Sequence, residues 1–274
     1  MDFLMQRFWH TSVVRNDEHY LTAKTVYMDC RLECLAGMEV EVDTLKIKKA
    51  WVDRLGRPGK MAESREYIEG LKGVEAYLGG GARLRQALQV VKEELERSLF
   101  NDLVIGIVQA ETFLYRERGY DSADDYNRAW EDFYLGSCRY YSNLDRIKTS
   151  WGNYVGLSGR VENLFDRCKS QQLYRDHKGY YIINGSLIDS FHQVNTSLEL
   201  DENMKVTAAY GQLLRVPDEV CRESTSRMEN IKGLLLPGMP KKELAHRLGA
   251  GQGCVHLIDL VYDGVKTLEL YLRQ

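Results

Sequence analysis

Residues recur in the same order about 160 positions apart, and this repetition constrains the fold more than any other feature of the chain. Val40-Glu-Val-Asp returns as Leu198-Glu-Leu-Asp, and Leu45-Lys-Ile returns as Met204-Lys-Val. Asp29 answers Asp189, and Pro58 answers Pro217. Leu71-Lys-Gly-Val answers Ile231-Lys-Gly-Leu, and Asp102-Leu-Val answers Asp259-Leu-Val. A collinear series at one offset implies a duplicated β-β-β-α-α unit.

The predicted architecture is therefore α+β: two similar units of β-hairpin or sheet plus helix, related by pseudo-twofold symmetry and joined by a helical connector. The expected divisions are a degenerate first repeat over 1–119, a connector over 120–176 and a second repeat over 177–274. In the first repeat, Met38 to Val52 alternates apolar and polar residues as half-buried strands do, with a turn at Asp43-Thr44. Helical spacing is expected from Met61, and Lys72-Gly73 reads as a helix stop. A long helix is predicted over 82–114, because Leu84, Leu88, Val91, Leu95 and Leu99 recur at helical intervals. In the connector, Ser122 is placed as the cap of a helix through Trp130, Phe133 and Tyr134, and Ser158 as the cap of another through Val161, Leu164 and Phe165. The aromatic residues of this segment, Tyr140-Tyr141 and Trp151-Gly-Asn-Tyr, either pack against the repeats or meet a protein partner.

Composition excludes several classes. The chain has 274 residues with a net charge of −3, so no basic excess points to nucleic acid or an anionic membrane. No apolar run approaches the ~20 residues of a membrane helix. The first residues lack the basic start and apolar core of an export signal, so a cytoplasmic location is expected. Six scattered cysteines without a CxxC pair then argue for thiols rather than disulfides.

The candidate chemistry is confined to the second repeat. Gly249-Ala-Gly-Gln-Gly-Cys-Val-His-Leu257 places Cys254 and His256 just after a glycine-rich break and at the head of an apolar helix. The first repeat has Arg97 and Leu99 at those positions and is read as continuous helix through Glu93 to Arg97; Met61 stands there for Cys221. In a regular helix, residues two apart point about 200° away from each other, so only an irregular first turn lets Cys254 and His256 share a ligand. Cys221 is read as pointing inward one turn into a helix that begins at Pro217, with Thr225 and Met228 on its face. Cys221, Cys254, His256 and Asp189 make a candidate set for zinc or iron, with His192 as an alternative fourth ligand. Cys254 as nucleophile with His256 or His192 as base is the enzymatic alternative, and a non-catalytic interaction subunit is the third. Cys30 and Cys34 are expected in one strand, and Asp29 and Asp189 are expected to cap turns.

The second repeat resembles an uncharacterised bacterial domain family. The resemblance rests on Leu187-Ile-Asp, Leu198-Glu-Leu-Asp, Pro217-Asp-Glu-Val-Cys221, Ile231-Lys-Gly233 and Gly253-Cys-Val-His-Leu257. The family's terminal motif is Gly-Cys-Thr-His-Leu, and Val255 stands here for the threonine. This resemblance covers about 180–272 and implies a shared fold. There is a weaker, fold-level likeness to iron–sulfur cluster assembly scaffolds, with Asp189, Cys221, Cys254 and His256 as counterparts; their Cys-Gly-Asp is missing. The expectation is a metal- or cluster-binding accessory protein.

Overall fold

The computed structural model describes residues 1–56, 64–157 and 159–273. The fold is α+β, built on a large antiparallel sheet with helices. The chain divides into two compact units. One comprises residues 9–126 and 155–168; the other comprises 1–8, 127–154 and 169–274. Two long strands, β1 (Asp2–Arg15) and β6 (Asn163–Arg175), contribute residues to both.

In the 9–126 unit, β2 (Tyr20–Asp29), β3 (Glu33–Glu41), β4 (Ile47–Gly56) and β5 (Ser64–Tyr67) form antiparallel neighbours in the order β5-β4-β3-β2-β1. Leu21, Ala23, Thr25 and Tyr27 alternate into the core, and Met38 and Val40 follow on β3. The turn at Asp43-Thr44 lies between β3 and β4. Helical spacing from Met61 falls on 57–63, outside the described residues, and Ser64–Tyr67 is strand instead. An extended pairing with Trp51 to Arg54 outweighs the local pattern there.

The helix expected over 82–114 is interrupted. Helix α1 (Gly81–Ala87) ends in a 3₁₀ turn, residues 91–93 are non-helical, and α2 (Glu94–Ala110) then begins. The Arg97 guanidinium holds the break by donating to the carbonyls of Val91 (2.5 Å) and Lys92 (2.7 Å). Glu94 to Arg97 is helical as read, but the helix does not run unbroken into it: both units break before their long helix. Helix periodicity survives such a break, which is why sequence spacing alone did not reveal it. Cys30 is exposed in the turn after β2, so of that pair Cys34 alone lies in a strand.

The other unit orders its strands β1-β6-β7-β8-β9, with β7 (Tyr181–Asp189), β8 (Gln193–Leu200) and β9 (Val206–Arg215). The helix expected from Ser158 through Phe165 is replaced by β6; Ser158 itself lies outside the described residues. The period-2 burial of Phe165, Arg167, Lys169, Gln171 and Leu173 shows why: alternation continues for the whole strand. Ser122 does cap α3 (Ala123–Tyr134), accepting the Asp125 N–H at 3.1 Å and donating to its carboxylate at 2.6 Å. A short helix, α4 (Trp151–Val155), follows.

Past β9, residues Glu219–Ile231 wind as a 3₁₀ helix rather than the α-helix expected from Pro217. Ser224, Thr225 and Ser226 each donate a hydroxyl to the carbonyl three residues back, which satisfies the carbonyls in that tighter geometry. The core of this unit gathers Ile183, Leu198, Met228, Ile231, Ile258, Val261 and Val265. Helix α5 (Lys241–Arg247) leads to the glycine break, and α6 (Val255–Leu272) follows it. Gly264 allows α6 to lie close on β7: a Cβ there would come within 2.9 Å of the Ile183 side chain. The helix runs opposite to β7, so its first turn reaches the strand's C-terminal end.

The two units share local irregularities at corresponding positions. Register shifts fall at Glu33/Cys34 and Glu39/Val40 in one, and at Gln193/Val194 and Glu199/Leu200 in the other. Leu45 and Met204 both adopt positive φ, at 53° and 63°. Among the described residues, no helix is long and apolar enough to cross a membrane.

Candidate metal centre

Three ligand-bearing side chains meet where β7 ends and α6 begins. A carboxylate oxygen of Asp189 and a ring nitrogen each of His192 and His256 lie within 4.8 Å of one another. All three residues belong to one compact unit. Asp189 Oδ1 accepts the N–H groups of Phe191 (2.8 Å) and His192 (2.7 Å), which builds the turn into β8. His192 Nδ1 stands 3.2 Å from the same oxygen. With the proton on Nδ1 this contact is a hydrogen bond that orients the ring and leaves Nε2 as the ligating nitrogen. The Arg215 guanidinium donates to the carbonyls of Asp189 and His192 and closes the turn from behind.

Aromatic packing holds His192 in place. Its ring lies against Trp151, with centroids 6.2 Å apart and planes 21° apart, and Trp151 stacks in turn on Trp130. Trp151 is placed by Asp218, whose carboxylate accepts the Lys148 and Thr149 N–H groups while also capping Val220. Burial alone would raise the Asp218 carboxyl, but those N–H groups hold it below the usual carboxylate range. The connector aromatics Trp130, Tyr140, Tyr141 and Trp151 are all buried, whereas Phe133 and Leu135 are exposed.

His256 is delivered by the glycine break. Gly251 has φ +77°, the left-handed region that glycine adopts without strain. A Cβ on Gly253 would fall 2.1 Å from the Leu248 carbonyl oxygen, so no side chain fits there. The loop is gripped from the connector. The Arg139 N–H donates to the Gly253 carbonyl at 2.8 Å, the Arg139 guanidinium reaches Gln252, and the Ser142 hydroxyl donates to the Gly251 carbonyl. Arg139 and Arg146 also clamp Glu223; Arg146 first and Arg139 second hold its carboxyl down to about 2. Cys254 then takes an extended conformation at the N-cap, and the His256 ring settles 4.3 Å from the His192 ring, centroid to centroid.

Of the four residues singled out from sequence, the structure brings Asp189 and His256 into one group. The Cys254 Sγ lies 3.8 Å from His256 Nδ1. Cys221 is buried at 8% exposure and is not a member of the group. Burial pushes both thiols up, each to about 12, partly offset at Cys254 by the N–H groups of Leu257 and His256. Such a thiol is protonated at neutral pH unless a cation displaces the proton. His192 completes the group. Its signal in the sequence was its place three residues after an aspartate that ends a strand.

The 9–126 unit builds the same turn without the histidine. Asp29 Oδ1 accepts the N–H groups of Arg31 (2.7 Å) and Leu32 (3.0 Å), so a leucine stands where the 169–274 segment has His192. The result is an α+β unit with one carboxylate and two imidazoles gathered at the mouth of a strand–turn–strand. Residues 165–268, which include Asp189, His192 and His256, match the family described as Protein of unknown function (DUF2889). No curated protein matches the chain.

Proposed function

We propose that Asp189, His192 and His256 bind a divalent transition metal, zinc or iron(II). The observation that carries this reading is the convergence of three ligand atoms within 4.8 Å. Metal–nitrogen bonds of about 2.0–2.1 Å and metal–oxygen bonds of about 2.0–2.2 Å need only small side-chain adjustments from that arrangement. Two imidazoles and one carboxylate leave coordination positions open, as in catalytic zinc sites and in non-haem iron sites, rather than closing the shell as structural zinc does. Cys254 lies outside the group, with its Sγ 3.8 Å from His256 Nδ1. When bound, the metal supplies Lewis acidity or a lowered-pKa water. The chain's part is to orient His192 through Asp189 and to shield it with Trp151.

The same reading makes the 9–126 unit a ligand-free counterpart of a duplicated element. Its Asp29 turn, its register shifts and its positive-φ Leu45 support the common origin. Leu32 and Leu99 at the histidine positions account for the chemistry residing in one copy.

The test is metal analysis of anaerobically purified protein, followed by zinc and iron(II) titration calorimetry. The expected result is one metal per chain. His192→Ala and His256→Ala should weaken binding at least about 100-fold, more than loss of an outer-shell partner does. Asp189→Asn keeps an acceptor for the turn and removes the charge, so it should retain fold and lose affinity. Unchanged binding in either histidine variant refutes the site.

A further inference from the structure

The outward face of the β6–β9 sheet carries a second binding feature, independent of the metal reading. Period-2 alternation turns Ser170 and Gln172 of β6, Asn184 and Ser186 of β7, Asn195 and Ser197 of β8, and Tyr210 and Gln212 of β9 to the same side, away from the core. These eight residues line an open depression of about 500 Å³, a volume in the range of small-ligand sites.

They stand in two cross-strand rows. Ser170 and Ser186 share a hydrogen bond of 2.8 Å, Ser186 pairs with Asn195, and Asn195 pairs with Gln212. In the second row Ser197 donates to Asn184 at 2.9 Å, and Ser197 pairs with Tyr210, a residue 57% exposed. Charged residues make up 28% of the chain, yet none of these eight is charged. On the corresponding strands of the 9–126 unit the pattern is ionic: Lys49 pairs with Glu39 and Arg65 with Asp53. Trp51 there lies directly over Gly37, so a Cβ on that glycine would sit 2.2 Å from the ring.

A neutral surface dense in donors and acceptors discriminates among ligands. Phosphates, nucleic acid and charged peptides find no counter-charge on it. An apolar ligand would leave amides and hydroxyls desolvated without partners. An extended peptide pairs its backbone with a sheet edge rather than lying across a face. An uncharged polyhydroxyl ligand satisfies the amide and hydroxyl groups and offers C–H faces to the Tyr210 ring. We propose that this depression binds a neutral saccharide.

The experiment is NMR titration of the ¹⁵N-labelled full chain with maltotriose, cellotriose and triacetylchitotriose in turn. At least one should produce saturable shifts in the side-chain amides of Gln172, Asn184, Asn195 and Gln212, with a Kd of roughly millimolar or tighter. Tyr210→Ala and Asn195→Ala should each weaken that binding about tenfold with unchanged circular dichroism, since both side chains face outward. His256→Ala should leave it unchanged, which separates this site from the metal centre. Absence of saturable shifts with all three saccharides overturns the proposal. So does sedimentation showing a dimer that Tyr210→Lys dissolves, because the face would then be covered by a second copy.

Discussion

At the scale of single residues, the separation of turn-building from ligation is the informative result. Asp29 and Asp189 accept the same pair of N–H groups, so the aspartate alone specifies a turn and not a site. The histidines are what sets the Asp189 turn apart from the Asp29 turn. Cys221, by contrast, is a buried thiol on the 3₁₀ helix that also buries Met228. Cys221→Ala is expected to lower stability by about 1 kcal/mol and to leave metal stoichiometry unchanged, measured by denaturant unfolding and metal analysis. Gly253→Ala is expected to affect both stability and metal binding. Its Cβ meets a backbone carbonyl that cannot swing away, so it should cost about 1–3 kcal/mol and displace His256, seen as loss of metal affinity beyond the loss of stability.

At the scale of elements, the segment from Lys148 to Trp151 depends on one carboxylate. Asp218 has a folded pKa below its ordinary value of about 3.9. Its contribution is therefore complete above that value and is lost as pH falls through the lower folded value. Acid titration followed by tryptophan fluorescence should show Trp151 released below about pH 4, and Asp218→Asn should remove that acid transition. A transition of the same size in the variant would assign it to another carboxylate. The capped start of α3 gives a second element-scale expectation: Ser122→Ala should cost about 1 kcal/mol by removing both partners of the Asp125 interaction, measured by thermal unfolding.

At the scale of the whole molecule, two cores carry one candidate centre. Zinc should raise hydrogen-exchange protection in 187–193, 213–218 and 249–260, which enclose the ligands and their supports, and leave 20–56 unchanged. Equal protection of both stretches would mean that the metal acts elsewhere.

The strands over Met38 to Val52, the Asp43-Thr44 turn and the Ser122 cap were legible in the sequence because each depends on neighbours a few residues away. The collinear matches pointed to a second strand set, and the glycine-rich stretch pointed to an irregular start for α6. Local pattern misled where it was locally ambiguous. Leu164 and Phe165 fit a helical stripe as well as a strand, and pairing within the sheet decided for β6. Leu84 to Leu99 kept helical phase across a break that only the Arg97 guanidinium reveals. The side-chain group was legible in part: Asp189 and His256 fall in it, but the presence of His192 rather than Cys221 depended on side-chain direction. Sequence spacing places Cys221 near the same helix starts. Only the packing of Trp151 on His192, the 3₁₀ winding after Asp218 and the reach of α6 along β7 determine which side chains arrive at one point. The Trp151–His192 and Gly264–Ile183 contacts join residues 41 and 81 positions apart in the chain, and no local propensity encodes them.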